Sequence, residues 1–315
     1  MSAVTDPEDA VASWAASNHL VPLWIAAERD LPTAPLTNAV VHHWPSAVIQ
    51  NAVENAAQFV AEGRTERRIV ALANPGVEGP GVVATTDTLI TAVQIVHPGE
   101  QVTPHRHAMS SIRFGMEGDG VVALVNGTPV PLRPRDLLVQ QAGDWHAHQN
   151  NGSGRGVWLD GLDLPLVSRL AAVWFELADG PIETTQDHSR PALYRWEEMQ
   201  AAIDRTVAVD GVRRVPYGDG GRVTGTLGCE IAAIDAACST PKWREASSSI
   251  VMVVEGNGTS EVEGATVSWG EGDVLAVPAW SWQQHHASSP ALLFRLSDQP
   301  ALVALEIYRE ELAVE

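Results

Sequence analysis

Pro104-His105-Arg106-His107 and, further along, Trp145-His146-Ala147-His148 place four imidazoles in two short segments. Side chains alternate along a β-strand, so His105 and His107 share one face and His146 and His148 another. A third histidine from a later strand closes a metal-binding triangle, which makes His105, His107 and His146 the candidate ligands. Imidazole suits Fe, Zn, Cu and Ni, so the ligand types do not name the metal. Arg113 falls on the same alternation as His107. A guanidinium inside a barrel is costly unless paired, and a carboxylate pairs it best. Arg113 therefore reads as a cation for a substrate carboxylate or for charge developing on oxygen, or as half of an internal salt bridge. His42, His43, His97, His188, His285 and His286 lack partners at ligand spacing and read as non-ligands.

The texture of the chain says what must hold these residues. Helical signals cover residues 6–30, 46–63, 165–203 and the C-terminal 301–315, the first with Pro7 in the opening turn and Glu8 and Asp9 beside it. From Ile69 short β-branched runs alternate with Gly, Pro and Asn turns, and the same texture returns over 225–300. The two β-rich regions repeat. Thr103-Pro104, Ser110-Ser111-Ile112 and Glu117-Gly118-Asp119-Gly120 are answered by Thr240-Pro241, Ser248-Ser249-Ile250 and Glu255-Gly256-Asn257-Gly258, a period of about 138 residues. Asp136 and Trp145 then match Asp273 and Trp282. In that register Trp243, Glu245 and Gln283 stand where the trio stands, so the second copy is expected to be metal-free.

Bulk properties narrow the class. A net charge of −19 argues against nucleic acid and anionic membranes as partners. Cys229 and Cys238 are too few for a disulfide framework. No apolar run reaches the roughly eighteen residues of a membrane span, and the acidic N-terminus lacks a signal pattern. A cytoplasmic location is the expectation.

The HxH pair, the Glu-Gly-x-Gly turn and the distal histidine resemble the cupin fold. More narrowly, the chain resembles the bicupin gentisate 1,2-dioxygenase family, which includes salicylate, 5-substituted salicylate and 1-hydroxy-2-naphthoate dioxygenases. The resemblance rests on Arg67-Arg68 through Asn74-Pro75-Gly76, Gln94 through Pro98-Gly99-Glu100, His105-Arg106-His107 through Ile112-Arg113-Phe114, and Trp145-His146-Ala147-His148-Gln149-Asn150. Trp158-Leu159-Asp160-Gly161-Leu162-Asp163, the N-terminal Pro22-Leu23-Trp24 and the C-terminal Ser297-Asp298-Gln299-Pro300 extend it to nearly the whole chain. Arg135 replaces the usual glycine before Asp136, Gln141-Ala142-Gly143-Asp144 replaces a Pro-x-Trp approach, and Ile90 replaces a frequent tryptophan.

The implied fold is an all-β core with flanking helices, a bicupin of two jelly-roll barrels in one chain. Its implied segments are an N-terminal helical segment 1–68, a metal-binding cupin 69–165, a helical linker 166–224, a metal-free cupin 225–300 and a helix 301–315. The implied activity is Fe(II)-dependent opening of the C1–C2 bond of a salicylate-type acid by O2. Gentisate is the default substrate, with 5-substituted salicylates such as 5-nitrosalicylate close behind. Three neutral ligands leave a divalent iron its full charge and up to three open positions for the acid and O2. Catalytic roles fall to Arg113, His148, Gln94 and Asp160. His148 acts near the substrate hydroxyl or fills core, Gln94 bonds the carboxylate or O2, and Asp160 orients a ligand histidine or Arg113. Ile90, Ala92 and Gln94 share a strand face and line the pocket, and one of Arg64, Arg67 and Arg68, taken as Arg68, brings charge to its mouth. The family resemblance suggests a homo-oligomer, a tetramer. Two other classes stay open: a metal-dependent isomerase or lyase, and a non-catalytic aromatic-acid-binding bicupin.

Overall fold

The computed structural model describes residues 7–24, 31–58, 68–77, 83–180, 182 and 193–314. Two compact units divide the chain, 1–36 and 37–315. The first contains helix α1 (Pro7–Ser17). It stops well short of the expected residue 30 because His19 adopts φ 56°, and Leu20 N–H closes on Ala15 O at 2.8 Å. Residues 25–30 lie outside the described residues.

The second unit begins with β1 (His42–Trp44), α2 (Ser46–Gln58) and β2 (Arg68–Ala71). Residues 59–63, expected to continue α2, lie outside the described residues. Next come β3 (Ile90–Val96), β4 (His105–His107), β5 (Ser111–Glu117), β6 (Val121–Val125), β7 (Thr128–Leu132), β8 (Leu137–Gln140), β9 (His146–Asn150) and β10 (Gly156–Leu162). The stretch 165–203 reads helical in sequence but is broken. It holds α3 (Leu164–Arg169), β11 (Phe175–Leu177), β12 (Leu193–Tyr194) and α4 (Trp196–Arg205). The second copy follows with β13 (Val212–Pro216), β14 (Gly228–Ile234), β15 (Trp243–Glu245), β16 (Ser249–Glu255), β17 (Asn257–Val262), β18 (Ala265–Gly270), β19 (Val274–Val277), β20 (Gln283–Ala287) and β21 (Ala291–Ser297). The expected terminal helix over 301–315 is instead α5 (Gln299–Ala304) followed by β22 (Glu310–Leu312).

Both corrections have one cause. The strands that carry the HxH segment and its second-copy equivalent have an open edge, and β11 and β22 fill it: Phe175 pairs with His107, and Glu310 with Glu245. Ladder pairing outweighs the helical spacing of a short apolar run. Ala171 at φ 54° and Glu306 at φ 60° end the preceding helices in the same way.

Each barrel is a six-stranded sheet and a five-stranded sheet. The first uses β12-β8-β5-β10-β3-β2 and β11-β4-β9-β6-β7; the second uses β1-β19-β16-β21-β14-β13 and β18-β17-β20-β15-β22. The edge strands are exchanged. β1, from before the first barrel, pairs with β19 of the second, and β12, from between the barrels, pairs with β8 of the first. The repeated aspartates seal both exchanges. Asp136 accepts from Trp196 N–H at 2.9 Å and Arg195 at 2.7 Å; Asp273 accepts from Ser46 N–H at 2.6 Å and His43 at 2.8 Å.

The six-stranded sheets are buried on both faces, and all of β3 is buried. Phe114, Leu159 and Ile95 of the first pack with Phe294, Met252 and Leu296 of the second, capped by Ile49 and Val53 of α2 and Met199 and Ile203 of α4. A Cβ at Gly161 would overlap the tip of the Leu296 side chain, so glycine lets the two barrels pack here without displacing it. Inside the first barrel Val96, Val121, Ala123, Leu138 and Trp158 fill an apolar core, leaving the other interior positions for polar groups.

Candidate metal centre

The HxH segment is strand β4, held between β11 and β9. His105 and His146 are direct cross-strand partners. With His107 they converge, so that one ring nitrogen of each lies within 4.8 Å of the others, and all three are buried. Ring centroids are 4.2 Å apart for His105 and His146, 4.7 Å for His107 and His146, and 5.8 Å for His105 and His107.

Short local contacts set the tautomers. The Nδ1 of His105 faces Thr103 O at 2.7 Å, that of His107 faces Met109 O at 2.9 Å, and that of His146 faces Asp144 O at 2.9 Å. A carbonyl only accepts, so each Nδ1 carries the proton and each Nε2 keeps its lone pair. His146 Nε2 is buried with no hydrogen-bond partner among the described residues. Burial and the nearby Arg113, followed by His105 and His107, push the His146 pKa far below its ordinary value. The imidazole is thereby kept in the neutral form a metal requires. A buried, unpartnered lone pair amid two more imidazoles is the environment of a cation site, so these residues fit a metal ion.

The other candidate residues stand on the six-stranded sheet. Arg113, Asp160 and Ala92 are register partners in one row across β5, β10 and β3; Trp158 pairs with Gln94 in the next row on the same face. Arg113 Nε lies 3.2 Å from Asp160, and Trp158 Nε1–H donates to Asp160 at 3.0 Å. The internal salt bridge left open in the sequence is therefore present. Gln94, Ala92 and Ile90 alternate on that face and are all buried. The His148 ring is 6.1 Å from His146 and 5.3 Å from Trp158.

Arg68 is a correction. It pairs with Ile95 on β3, whose side chain belongs to the packing between the barrels, so Arg68 lies on the face opposite Gln94. Glu100 takes its Nη1 with both carboxylate oxygens, each at 2.7 Å. Arg64, Arg67 and His188 lie outside the described residues. Five of the other histidines have other work: His43 bonds Asp273, His97 bonds Ala57 O, His285 bonds Ser260, His286 bonds Ser239, and His42 meets Trp44 edge-on.

Three neighbours escaped the sequence reading. Phe175 stacks against His105 at 5.3 Å, hidden by the helical reading of its segment. Trp158 shares the Asp160 alternation, a signal present in Trp158-Leu159-Asp160. Gln140 binds Arg113 and Ser111. Its signal was the departure from the usual pattern immediately after it.

In the second barrel the equivalent strand positions are committed elsewhere. Glu245, at the place of His107, accepts from Trp243 at 3.2 Å, Ser247 at 2.7 Å and Tyr308 at 3.1 Å, and is ion-paired with Arg295. Among the described residues the three-histidine cluster is the one potential metal site found.

Two joined antiparallel barrels with one all-imidazole site define a bicupin with a metal-binding first barrel. A cupin-domain model matches residues 92–162. A gentisate 1,2-dioxygenase of Streptomyces sp is 33% identical over 92% of this chain and 91% of its own length. A 5-aminosalicylate 1,2-dioxygenase of Comamonas sp is 35% identical over 79% of this chain and 75% of its own. Among solved structures, a salicylate 1,2-dioxygenase of Pseudoaminobacter salicylatoxidans, determined with gentisate, superposes with a TM-score of 0.89 at 28% identity, covering 100% of this chain and 96% of that one. The chain belongs to the gentisate 1,2-dioxygenase family of bicupins.

Proposed function

We propose that this protein is a non-haem Fe(II) dioxygenase that opens the C1–C2 bond of a salicylate-type aromatic acid, gentisate or a 5-substituted salicylate, with O2. The observation that carries the reading is the ligand set: three neutral imidazoles and, among the described residues, no carboxylate with them, in a chain of this family. Held by His105, His107 and His146, ferrous iron would supply open coordination positions for an ortho-hydroxy acid and O2 and a path for electrons from the ring to the oxygen.

The chain's own groups do the rest. Arg113, paired with Asp160 on its Nε edge, sets its positive charge beside the substrate carboxylate. His148 takes the proton of the substrate hydroxyl. Gln94 donates an amide N–H to a substrate oxygen. Ile90 and Ala92 form the apolar wall against the ring and set the room left for a ring substituent. The polar sheet and the apolar floor of Val96, Leu138 and Trp158 keep bulk water from the reacting carbon.

The test is anaerobic reconstitution with Fe(II), followed by an oxygen-electrode screen of gentisate, salicylate, 5-substituted salicylates and hydroxynaphthoates. One O2 consumed per acid, with loss of the aromatic absorbance, is expected for at least one of them. A protein that holds zinc and consumes no oxygen would overturn the reading.

A further inference from the structure

Gln140 ends β8 inside the first barrel and is 1% exposed. Its side-chain oxygen accepts from Arg113 Nη1 and from Ser111 Oγ, the latter at 3.0 Å. A guanidinium only donates, so the contact fixes which end of the amide is oxygen. The Nε2 end then keeps its N–H bonds in a dry interior with no acceptor among the described residues. Buried donors without acceptors are rare, and each requires a reason.

The second barrel supplies the comparison. Ser111 faces Gln140 across β5 and β8; Ser249 faces Val277 across β16 and β19. Val277 is as buried as Gln140, so an apolar residue satisfies the packing at this place and the fold does not call for an amide. Arg113 is matched by Val251 in the same register. The guanidinium–amide pair therefore exists only in the barrel that carries the three imidazoles. It also lies at their end of that barrel. Gly143, in the loop that leaves β8, donates its N–H to His107 O at 2.9 Å.

We infer that Gln140 recognises substrate: its Nε2 donates to an oxygen of the aromatic acid's carboxylate, while its Oε1 holds the Arg113 guanidinium beside the same group. The inference rests on the ring-cleaving reading above. A carboxylate oxygen is the acceptor that suits this place, since it offers the orphaned amide a lone pair and its charge lies favourably beside a guanidinium.

The experiment is equilibrium binding of salicylate, gentisate and 5-nitrosalicylate to the iron-loaded protein without oxygen, with iron content measured in parallel. Gln140→Val copies the second barrel. Gln140→Glu keeps oxygens for Arg113 and Ser111 but removes the amide donor. Both variants are expected to keep iron and to weaken all three acids by about tenfold or more, equally, because all three share the carboxylate. Unchanged binding, a loss confined to the 5-substituted acids, or a loss of iron in Gln140→Val would each overturn the inference. A wild-type protein that binds none of the three would instead overturn the functional reading, whatever the variants do.

Discussion

Each ligand imidazole is oriented by a carbonyl two residues away in its own chain, so orientation and ligation are encoded in the same short segment. His105→Ala, His107→Ala and His146→Ala should each abolish iron content as well as oxygen uptake; full iron in any one would remove that residue from the ligand set. Arg113 makes a different prediction. Its guanidinium is held by Asp160 and Gln140 on the sheet that faces the imidazoles. Arg113→Ala should keep the iron and lower kcat by about a hundredfold or more, the cost typical of losing a preorganised charge. Arg113→Lys should rescue little, because one ammonium cannot serve two partners and a carboxylate in fixed planar geometry. Steady-state kinetics beside metal analysis decide both. These residues were legible because alternation along a strand is a strong constraint once two histidines are spaced by one residue. Arg68 was not, since alternation chooses a face only when the neighbouring strand's register is known, and that register comes from Ile95.

At the scale of elements, the repeat was readable and the exchange of edge strands was not. The matched pair Asp136 and Asp273 stood out in sequence, but nothing local says that each binds a segment from the other half. The missed strands β11 and β22 share that origin: the open edge of a strand seven strands earlier in the chain decides them, not their own periodicity. The Asp273 seal is testable. Burial alone would raise its pKa, but the N–H groups of Ser46 and Gly270 and the His43 ring hold the carboxyl below the ordinary range. A depressed folded pKa means stability that is present above the unfolded value, near 3.8, and is lost as pH falls through the folded one. Asp273→Ala should therefore cost about 1–3 kcal/mol at neutral pH, from one helix cap and one charged hydrogen bond. The difference from wild type should shrink in acid. Chemical denaturation at pH 7 and pH 3 measures it, and a cost independent of pH would show that the carboxylate's charge is irrelevant there.

Over the whole molecule the two barrels are joined back to back, with Phe114 and Phe294 stacked at 4.6 Å in the seam. Two further acids cross that seam reciprocally. Asp163 of the first barrel accepts from Thr226 of the second, and Asp298 of the second accepts from Thr88 of the first, each at 2.5 Å. Both also hold a serine N–H of their own barrel, Ser110 at 2.9 Å and Ser248 at 2.8 Å. Here burial wins over the hydrogen bonds and pushes each carboxyl up to about 6. The sign is opposite to that of Asp273. Between the unfolded value, near 3.8, and about 6 the folded protein binds the extra proton, so stability from these groups falls as pH rises through that window. Asp298→Asn removes the titration while keeping an oxygen for Ser248 N–H and an amide that Thr88 can accept from. Its melting temperature relative to wild type should therefore climb between pH 4 and pH 7 by a few degrees and then level off. Calorimetry on both proteins across that range reads the difference directly. A difference that stays flat would mean that Asp298 is ionised throughout and that the seam tolerates its charge.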